Sequence, residues 1–394
     1  MQESNQILFL RKMKDDFVFT SGYTDLLAKR LILDGHSLDV YDFRKRKLMN
    51  INDKVLITYF KNFNLLDKTP FRLLTNFIAF IYFCLNSKKK YDVVHILYVR
   101  AEFLFTYFFI NKIGKKIIIS IFGSDINQHY KFKKFFTKIY YKADYILTTS
   151  PELIRVFISR FISKKNQPKI QLKTKVIMFP LQSIIDIKNR LNDGKIEYFR
   201  SRYRLNKNDI IITCGTTGNI IFEQIDQLVD VIKNNNLSEN NNLKFIFPMT
   251  YGGGKRDIEN FQKYVKSILN SNQIIFLTDY LPASEIASLR ILTDIFINIR
   301  KKDQFVASMI ESLYAGAHVV TGSWLPYKIL DQEGFYYSKI NRVEDIITIF
   351  PKLINDRINN NNSELYISNR KKVLSLWSPD EKLQEWSDFY KGLC

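Results

Sequence analysis

Ile210-Ile211-Ile212-Thr213-Cys214-Gly215 is an apolar run closed by a glycine, and it restarts a pattern already met at Ile7-Leu8-Phe9-Leu10. A short apolar run bounded by a turn residue reads as a strand buried on both faces, as in a parallel sheet. From the earlier run, a helical pattern follows over Tyr23 to Leu33, then a strand at Leu38-Asp39-Val40-Tyr41 entered through Gly35-His36. Further strands fall at residues 93–97, 116–120 and 145–149, with Val176-Ile177-Met178-Phe179-Pro180 closing the unit. From 210 onward the rhythm repeats at residues 244–249, 273–277, 295–298 and 318–321. Alternation of strands and helices predicts α/β architecture with doubly wound parallel sheets. Its repetition predicts two Rossmann-like domains, residues 1–182 and 183–378, and 394 residues are enough for two cores. Residues 379–394, with Trp386 and Phe389 on one side, read as an amphipathic helix expected to pack back on the N-terminal domain. Two such sheets are expected to face a central cleft, with ligands outside the carboxyl ends of the strands.

The apolar fraction of 46% and charged fraction of 25% belong to a globular chain. Asparagine runs at 234–236, 240–242 and 359–362 read as exposed loop filler. Cys84, Cys214 and Cys394 show neither metal nor redox spacing, which fits a reducing cytoplasm. Met1 to Ile7 is polar, with no signal-peptide pattern after it. The longest apolar run, near residues 77–85, falls far short of the ~20 apolar residues that cross a bilayer.

The net charge of +20 attracts polyanions. Residues 129–142 interleave lysines with aromatic rings at helical spacing, and residues 71–85 are similarly aromatic and flanked by lysines. Such helices suit an anionic membrane surface, which makes Lys131, Lys133, Lys134 and Lys138 a candidate membrane patch. The other reading is a core-facing aromatic stripe with a solvated lysine face. No nucleic-acid recognition module appears, so nucleic acid is not an expected partner.

Several segments together resemble the GT-B glycosyltransferases, in particular the large retaining glycosyltransferase family 4. Residues 27–38 (LAKRLILDGHSL) look like that family's first helix and second strand, and Tyr91-Asp92-Val93-Val94-His95 and Phe122-Gly123-Ser124-Asp125 like its third-strand and acceptor-side signatures. Leu281-Pro282-Ala283-Ser284-Glu285-Ile286 matches the segment leading into the donor site. The sharpest piece is residues 303–316 (DQFVASMIESLYAG), similar to the family's paired-acid motif with seven residues between the acids.

The resemblance implies a metal-independent hexosyltransferase with no cofactor, whose donor is a UDP-, GDP- or dTDP-sugar. It makes residues 1–182 the acceptor-binding domain and 183–378 the donor-binding domain. Asp303 would contact sugar hydroxyls and Glu311 both ribose hydroxyls, while the start of the following helix, with Ser308, offers N–H groups to the diphosphate. Gly22 would bring a turn close to the phosphates, and Gly215 and Gly218 end the first strand of the donor domain, with Thr217 and Asn219 beside them as further donor-binding candidates. Tyr251-Gly252-Gly253-Gly254-Lys255-Arg256 reads as a phosphate nest with Gly253 at its centre, or equally as a flexible loop. It also looks like part of the separate family that transfers acetamidodideoxyhexose.

Departures from family 4 are concrete. Its basic pair after the first donor-domain strand is replaced by Thr216, Thr217 and Asn219, leaving Lys255, Arg256 or Arg300 to neutralise the diphosphate. Phe122 stands where the family has a histidine, and His129 is the candidate to replace it. Asp125, beside Ser124, would orient the acceptor hydroxyl or, in an inverting enzyme, accept its proton. His95 is placed at a strand end on the acceptor side, whereas His36 and His318 read as structural. The expected activity is transfer of a hexose, with retention, to a lipid-linked or surface-polysaccharide acceptor at the inner face of the plasma membrane. An inverting acetamidodideoxyhexose-type transferase, a non-catalytic GT-B partner subunit and a nucleotide-sugar epimerase stay open beside it.

Overall fold

The computed structural model describes residues 6–11, 23–42, 47–50, 56–58, 72–87, 89–97, 99, 108–122, 126, 133–235, 242–303, 307–359 and 361–393. The chain divides into two compact units, Met1–Pro180 with Pro379–Cys394, and Leu181–Ser378.

In the first unit the strands are β1 (Gln6–Arg11), β2 (Ser37–Asp42), β3 (Lys47–Asn50), β4 (Leu56–Thr58), β5 (Tyr91–Leu97), β6 (Gly114–Ile121), β7 (Tyr145–Thr148) and β8 (Thr174–Val176). They form one sheet in the order β4-β3-β2-β1-β5-β6-β7-β8. The six strands β2-β1-β5-β6-β7-β8 run parallel, as expected, while β3 is antiparallel to β2 and β4 to β3, an antiparallel edge added to the parallel sheet. The reason is chain length. Asp42 pairs with Lys47, and the intervening residues are too few for a parallel crossover, which takes a dozen or more. The strand expected at 176–180 is also displaced. Its ladder lies at Thr174–Val176 and ends with the Ile177 N–H donating to the Thr148 carbonyl at 3.0 Å. Ile177 and Phe179 are apolar because they fill the core, with Phe179 packed 4.7 Å from Trp386.

Trp386 and Tyr390 belong to the helix Pro379–Lys391, which covers β5. Beneath it His95 is fully buried, one ring nitrogen 2.6 Å from the Tyr390 hydroxyl and the other 2.7 Å from the Ser120 hydroxyl. Trp386 stacks on the imidazole at 5.7 Å, and Phe9 meets it edge-on at 5.6 Å. His95 is therefore a core residue, which corrects its placement on the acceptor side. Burial pushes its pKa down to about 3. The helix Arg72–Asn86 is apolar on both sides. Phe80 and Phe83 pack on Tyr41 in the core, while Leu74 (52%), Ile78 (47%), Tyr82 (49%) and Leu85 (57%) are exposed along the opposite face. No described helix is long and apolar enough to cross a membrane.

The second unit contains β9 (Ile210–Cys214), β10 (Leu243–Pro248), β11 (Ile274–Leu277), β12 (Ile295–Asn298), β13 (His318–Gly322) and β14 (Ser338–Ile340). All pair in parallel, in the order β11-β10-β9-β12-β13-β14. Every residue of β9, β10, β12 and β13 is buried, which is why their apolar runs are continuous rather than alternating. Ile212 and Phe245 face one core cluster, Ile211 and Ile246 the other. Successive strands go outward on one side of β9, and the chain then returns to lay β12 on its other side. That reversal, between β9 and β12, is the switch point at which sheets of this kind bind ligands.

His95 has a measurable consequence. Its folded pKa lies below its ordinary value, so the folded state binds fewer protons, and stability is present above pH ~6.5 and lost on acidification. The loss reaches up to about 1.4 kcal/mol per pH unit for such a group. His95→Gln, followed by thermal unfolding between pH 7 and 4, is expected to unfold with a shallower acid slope; an unchanged slope overturns the assignment.

Candidate functional site

At the β9–β12 switch point, β9 ends in Gly215 with φ +71°, a conformation that favours glycine. A side chain there would also press on Glu223, whose Oε2 lies 3.2 Å from the ideal Cβ position. Glu223 ends the single-turn helix Ile220–Glu223 and has no exposed surface. It accepts hydrogen bonds from the Thr216 and Thr217 hydroxyls at 3.0 Å each and from Arg300 Nη2 at 2.5 Å. Arg300, just past β12, also donates to Thr216 Oγ1, and its Nη1 is 3.5 Å from Asp303 Oδ1. Burial disfavours the Arg300 charge, but Glu223 and Asp303 outweigh it and hold the pKa above its usual value. The Tyr327 hydroxyl donates to Asp303 and accepts from Asn298 Nδ2 at 2.9 Å. Burial, then the Asp303 charge, pushes that phenol well up. One polar network thus ties the loops after β9, β12 and β13.

Glu311 lies on the helix Ala307–Ala315, which is buried from Ser308 onward. Arg290, on the helix Ala283–Leu292, donates from Nε to Glu311 Oε2 at 2.9 Å, with both side chains 10% exposed. The phenol of Tyr251, past β10, is raised by burial and is acted on by Arg300, Glu223, Arg290 and Glu311. Both ion pairs therefore lie within electrostatic range of one phenol, on a side chain that is 59% exposed. Glu311 also acts on Asp186, of the helix Gln182–Asp193, where burial first and the Glu311 charge after it raise the carboxyl pKa against a Gln182 hydrogen bond. Glu223 Oε2, Asn298 Oδ1, Arg300 Nε and Ser308 Oγ are buried with no hydrogen-bond partner among the described residues. Buried polar atoms are nearly always paired, so these four are open to a further hydrogen-bonding partner.

The glycine triplet has a packing role. An added Cβ at Gly253 would fall 2.1 Å from the Gly218 carbonyl oxygen, and one at Gly252 (φ +85°) 3.3 Å from Thr217 Cβ. With the Gly218 N–H donating to the Tyr251 carbonyl at 2.7 Å, these glycines let two backbone loops touch. Lys255 and Arg256 open the helix Lys255–Lys266 in solvent, Lys255 being 4.0 Å from Glu259. Neither joins the Arg300 network, so Arg300 alone of the three expected cations is inside it.

Thr217 is spent on Glu223, and Asn219 Oδ1 caps its helix by accepting from the Phe222 N–H at 3.4 Å. Lys138 is exposed on the helix Lys133–Lys142. Gly22, Ser124, Asp125, His129 and Lys131, with the side chains of Lys133 and Lys134, lie outside the described residues. Glu223, Arg290, Asn298 and Tyr327 were not foreseen. Two carried a signal: Glu223 breaks the apolar run Ile220-Ile221-Phe222, and Arg290 sits alone between Leu289 and Ile291. A lone charge in an apolar stretch is commonly a buried, paired one.

No family model matches the sequence, and no curated protein matches it. Solved structures do. A glycosyltransferase from Rickettsia africae is 17% identical over 99% of each chain, with a TM-score of 0.67. Sucrose-phosphate synthase from Thermosynechococcus elongatus is 12% identical over 98% of this chain and 99% of its own, at 0.71. Anabaena HepE in complex with UDP-glucose is 12% identical over 98% of this chain and 100% of its own, at 0.67. At these identities the likeness is one of architecture. The chain has the GT-B fold, two Rossmann-like α/β units.

The Arg300 network predicts a stability asymmetry. Glu223→Ala leaves a buried guanidinium without its nearest counter-charge and is expected to cost about 3 kcal/mol in denaturant unfolding. Glu223→Gln, which keeps the shape and an acceptor, is expected to lose clearly less; equal stability of Glu223→Ala and the parent overturns the network.

Proposed function

We propose that this chain is a glycosyltransferase using a nucleoside diphosphate sugar, with the donor held at the β9–β12 switch point. The observation that carries the reading is the Arg300–Asp303 pair at that edge, followed along the chain by the Ala307–Ala315 helix that bears Glu311. Glu311 receives the ribose hydroxyls. Arg290 occupies one oxygen, and an ionised carboxylate still has room for further donors. Asp303 takes a hydroxyl of the donor sugar, a hexose. Arg300 and the helix N–H groups face the diphosphate and stabilise it as it leaves, without a metal. Among fold neighbours, HepE has been solved with UDP and with UDP-glucose, which makes uridine the first base to test.

The acceptor is a lipid-linked or surface saccharide, received by the first unit with Asp125 orienting its hydroxyl, and the sugar is transferred with retention. The exposed apolar face of the Arg72–Asn86 helix supports a peripheral membrane position, at the inner face of the plasma membrane. A helix apolar all round needs a cover on its second side, and this one belongs to a chain of net charge +20. A second reading, a non-catalytic partner subunit, is favoured by one observation: both buried arginines of the site are already paired with carboxylates.

Thermal shift with UDP, GDP and dTDP is expected to show stabilisation by one of them, weakened roughly tenfold in apparent affinity by Glu311→Gln. Stabilisation by none overturns the donor site. Binding with no donor hydrolysis or transfer selects the partner subunit. In sedimentation with anionic vesicles, Ile78→Asp with Leu85→Asp is expected to release the protein, and unchanged binding overturns the membrane face.

A further inference from the structure

The chain has three tryptophans, and they differ in setting. Trp377 and Trp386 are buried, whereas Trp324, in the loop after β13, is 38% exposed. An exposed indole is ordinarily loose. This one is fixed on two sides. Its Nε1–H donates to the Arg300 carbonyl at 2.9 Å. Its ring lies against Gly322, where an added Cβ would fall 2.3 Å from indole Cε2 and Cζ2, so any larger residue would drive the ring away. The loop itself is tied down. The Ser323 N–H donates to the Ile340 carbonyl at 2.8 Å, the Leu325 N–H to the Gly322 carbonyl at 3.1 Å, and the Tyr327 N–H to the Leu325 carbonyl at 2.9 Å.

The position is as informative as the rigidity. Trp324 bonds the backbone of the residue whose guanidinium pairs with Glu223 and Asp303, and it precedes by three residues Tyr327, the donor to Asp303. It therefore stands on the Asp303 side of the site. A fixed aromatic face, half in water, beside a carboxylate able to accept hydroxyls, is a surface for a ligand with one apolar face and a polar rim. A pyranose has that form: its C–H groups meet the negative face of the indole while its hydroxyls reach the carboxylate.

We propose that Trp324 is the stacking platform for the pyranose ring of the donor, and so a specificity-determining residue of the site; this rests on the donor-site reading above. Because the ring is already in place before the ligand arrives, stacking on it requires no ordering of the side chain. Gly322 is part of the device, as the residue that leaves room for the ring.

The experiment uses whichever of UDP, GDP and dTDP stabilises the protein, together with its glucose conjugate. With its two other tryptophans buried, the ligand-dependent change in tryptophan emission is expected to come from Trp324. Trp324→Ala is expected to weaken the nucleotide-sugar about five- to tenfold while leaving the free nucleoside diphosphate within about twofold. Trp324→Phe is expected to keep most of the affinity, and Gly322→Ala, which retains the indole but displaces it, to behave like Trp324→Ala. Melting of each variant without ligand checks folding. Equal weakening of nucleotide and nucleotide-sugar overturns the proposal in favour of a base contact. Unchanged affinity of Trp324→Ala for the nucleotide-sugar, with stabilisation intact, overturns the platform alone. No stabilisation of the parent by any nucleotide overturns the donor site and the platform with it.

Discussion

The buried pairing of Arg300 with Glu223 is the constraint around which the second unit's carboxyl edge is built. A guanidinium withdrawn from water must be matched by a carboxylate and by acceptors for its N–H groups. Meeting that requirement dictates the local sequence. Gly215 turns the chain sharply enough to bring Glu223 back over β9, and the Thr216 and Thr217 hydroxyls complete the carboxylate's shell. Asp303 supplies a second negative charge, and Tyr327 and Asn298 satisfy Asp303 in turn. Loops from three strands are thus held by one charge and its partners, and a site assembled on them inherits their rigidity.

That arrangement changes how the replaced basic pair is understood. Where family 4 places cations after the first donor-domain strand, this chain has threonines that donate to a buried acid. The positive charge enters from β12 instead, and it is partly spent inside the protein. Arg290 and Glu311 repeat the solution across the helices behind the sheet. Near-neutral local charge means that a donor bound as proposed would lean on directed N–H and O–H groups, and on an aromatic surface, more than on net field.

What the sequence disclosed follows from range. β9, β10, β12 and β13 are buried on both faces, so their apolar runs announce them without any neighbour being known. β3 and β4 are short and join an edge antiparallel, and nothing periodic in so few residues marks them. Residues 177–179 imitate a strand because burial, not pairing, keeps them apolar. Glu311 and Asp303 were singled out by the spacing of one short motif. The buried pairings were not: Glu223 meets Arg300 across 77 positions and Arg290 meets Glu311 across 21, and charge pairing at such separation leaves no local pattern. His95 misled for the same reason, since the groups that bury it, Trp386 and Tyr390, lie almost 300 residues away (295 to Tyr390).

That separation bears on how the protein is made. The second unit is one continuous stretch, Leu181–Ser378, whereas the first is completed by Pro379–Cys394. During synthesis, which proceeds from the N-terminus at about 5–20 residues per second, the sheet of the first unit therefore waits for a helix translated after the whole of the second unit. Until Trp386 and Tyr390 leave the ribosome, the face of β5 that carries His95 lacks its cover, so the first unit cannot be completed before the second has been translated.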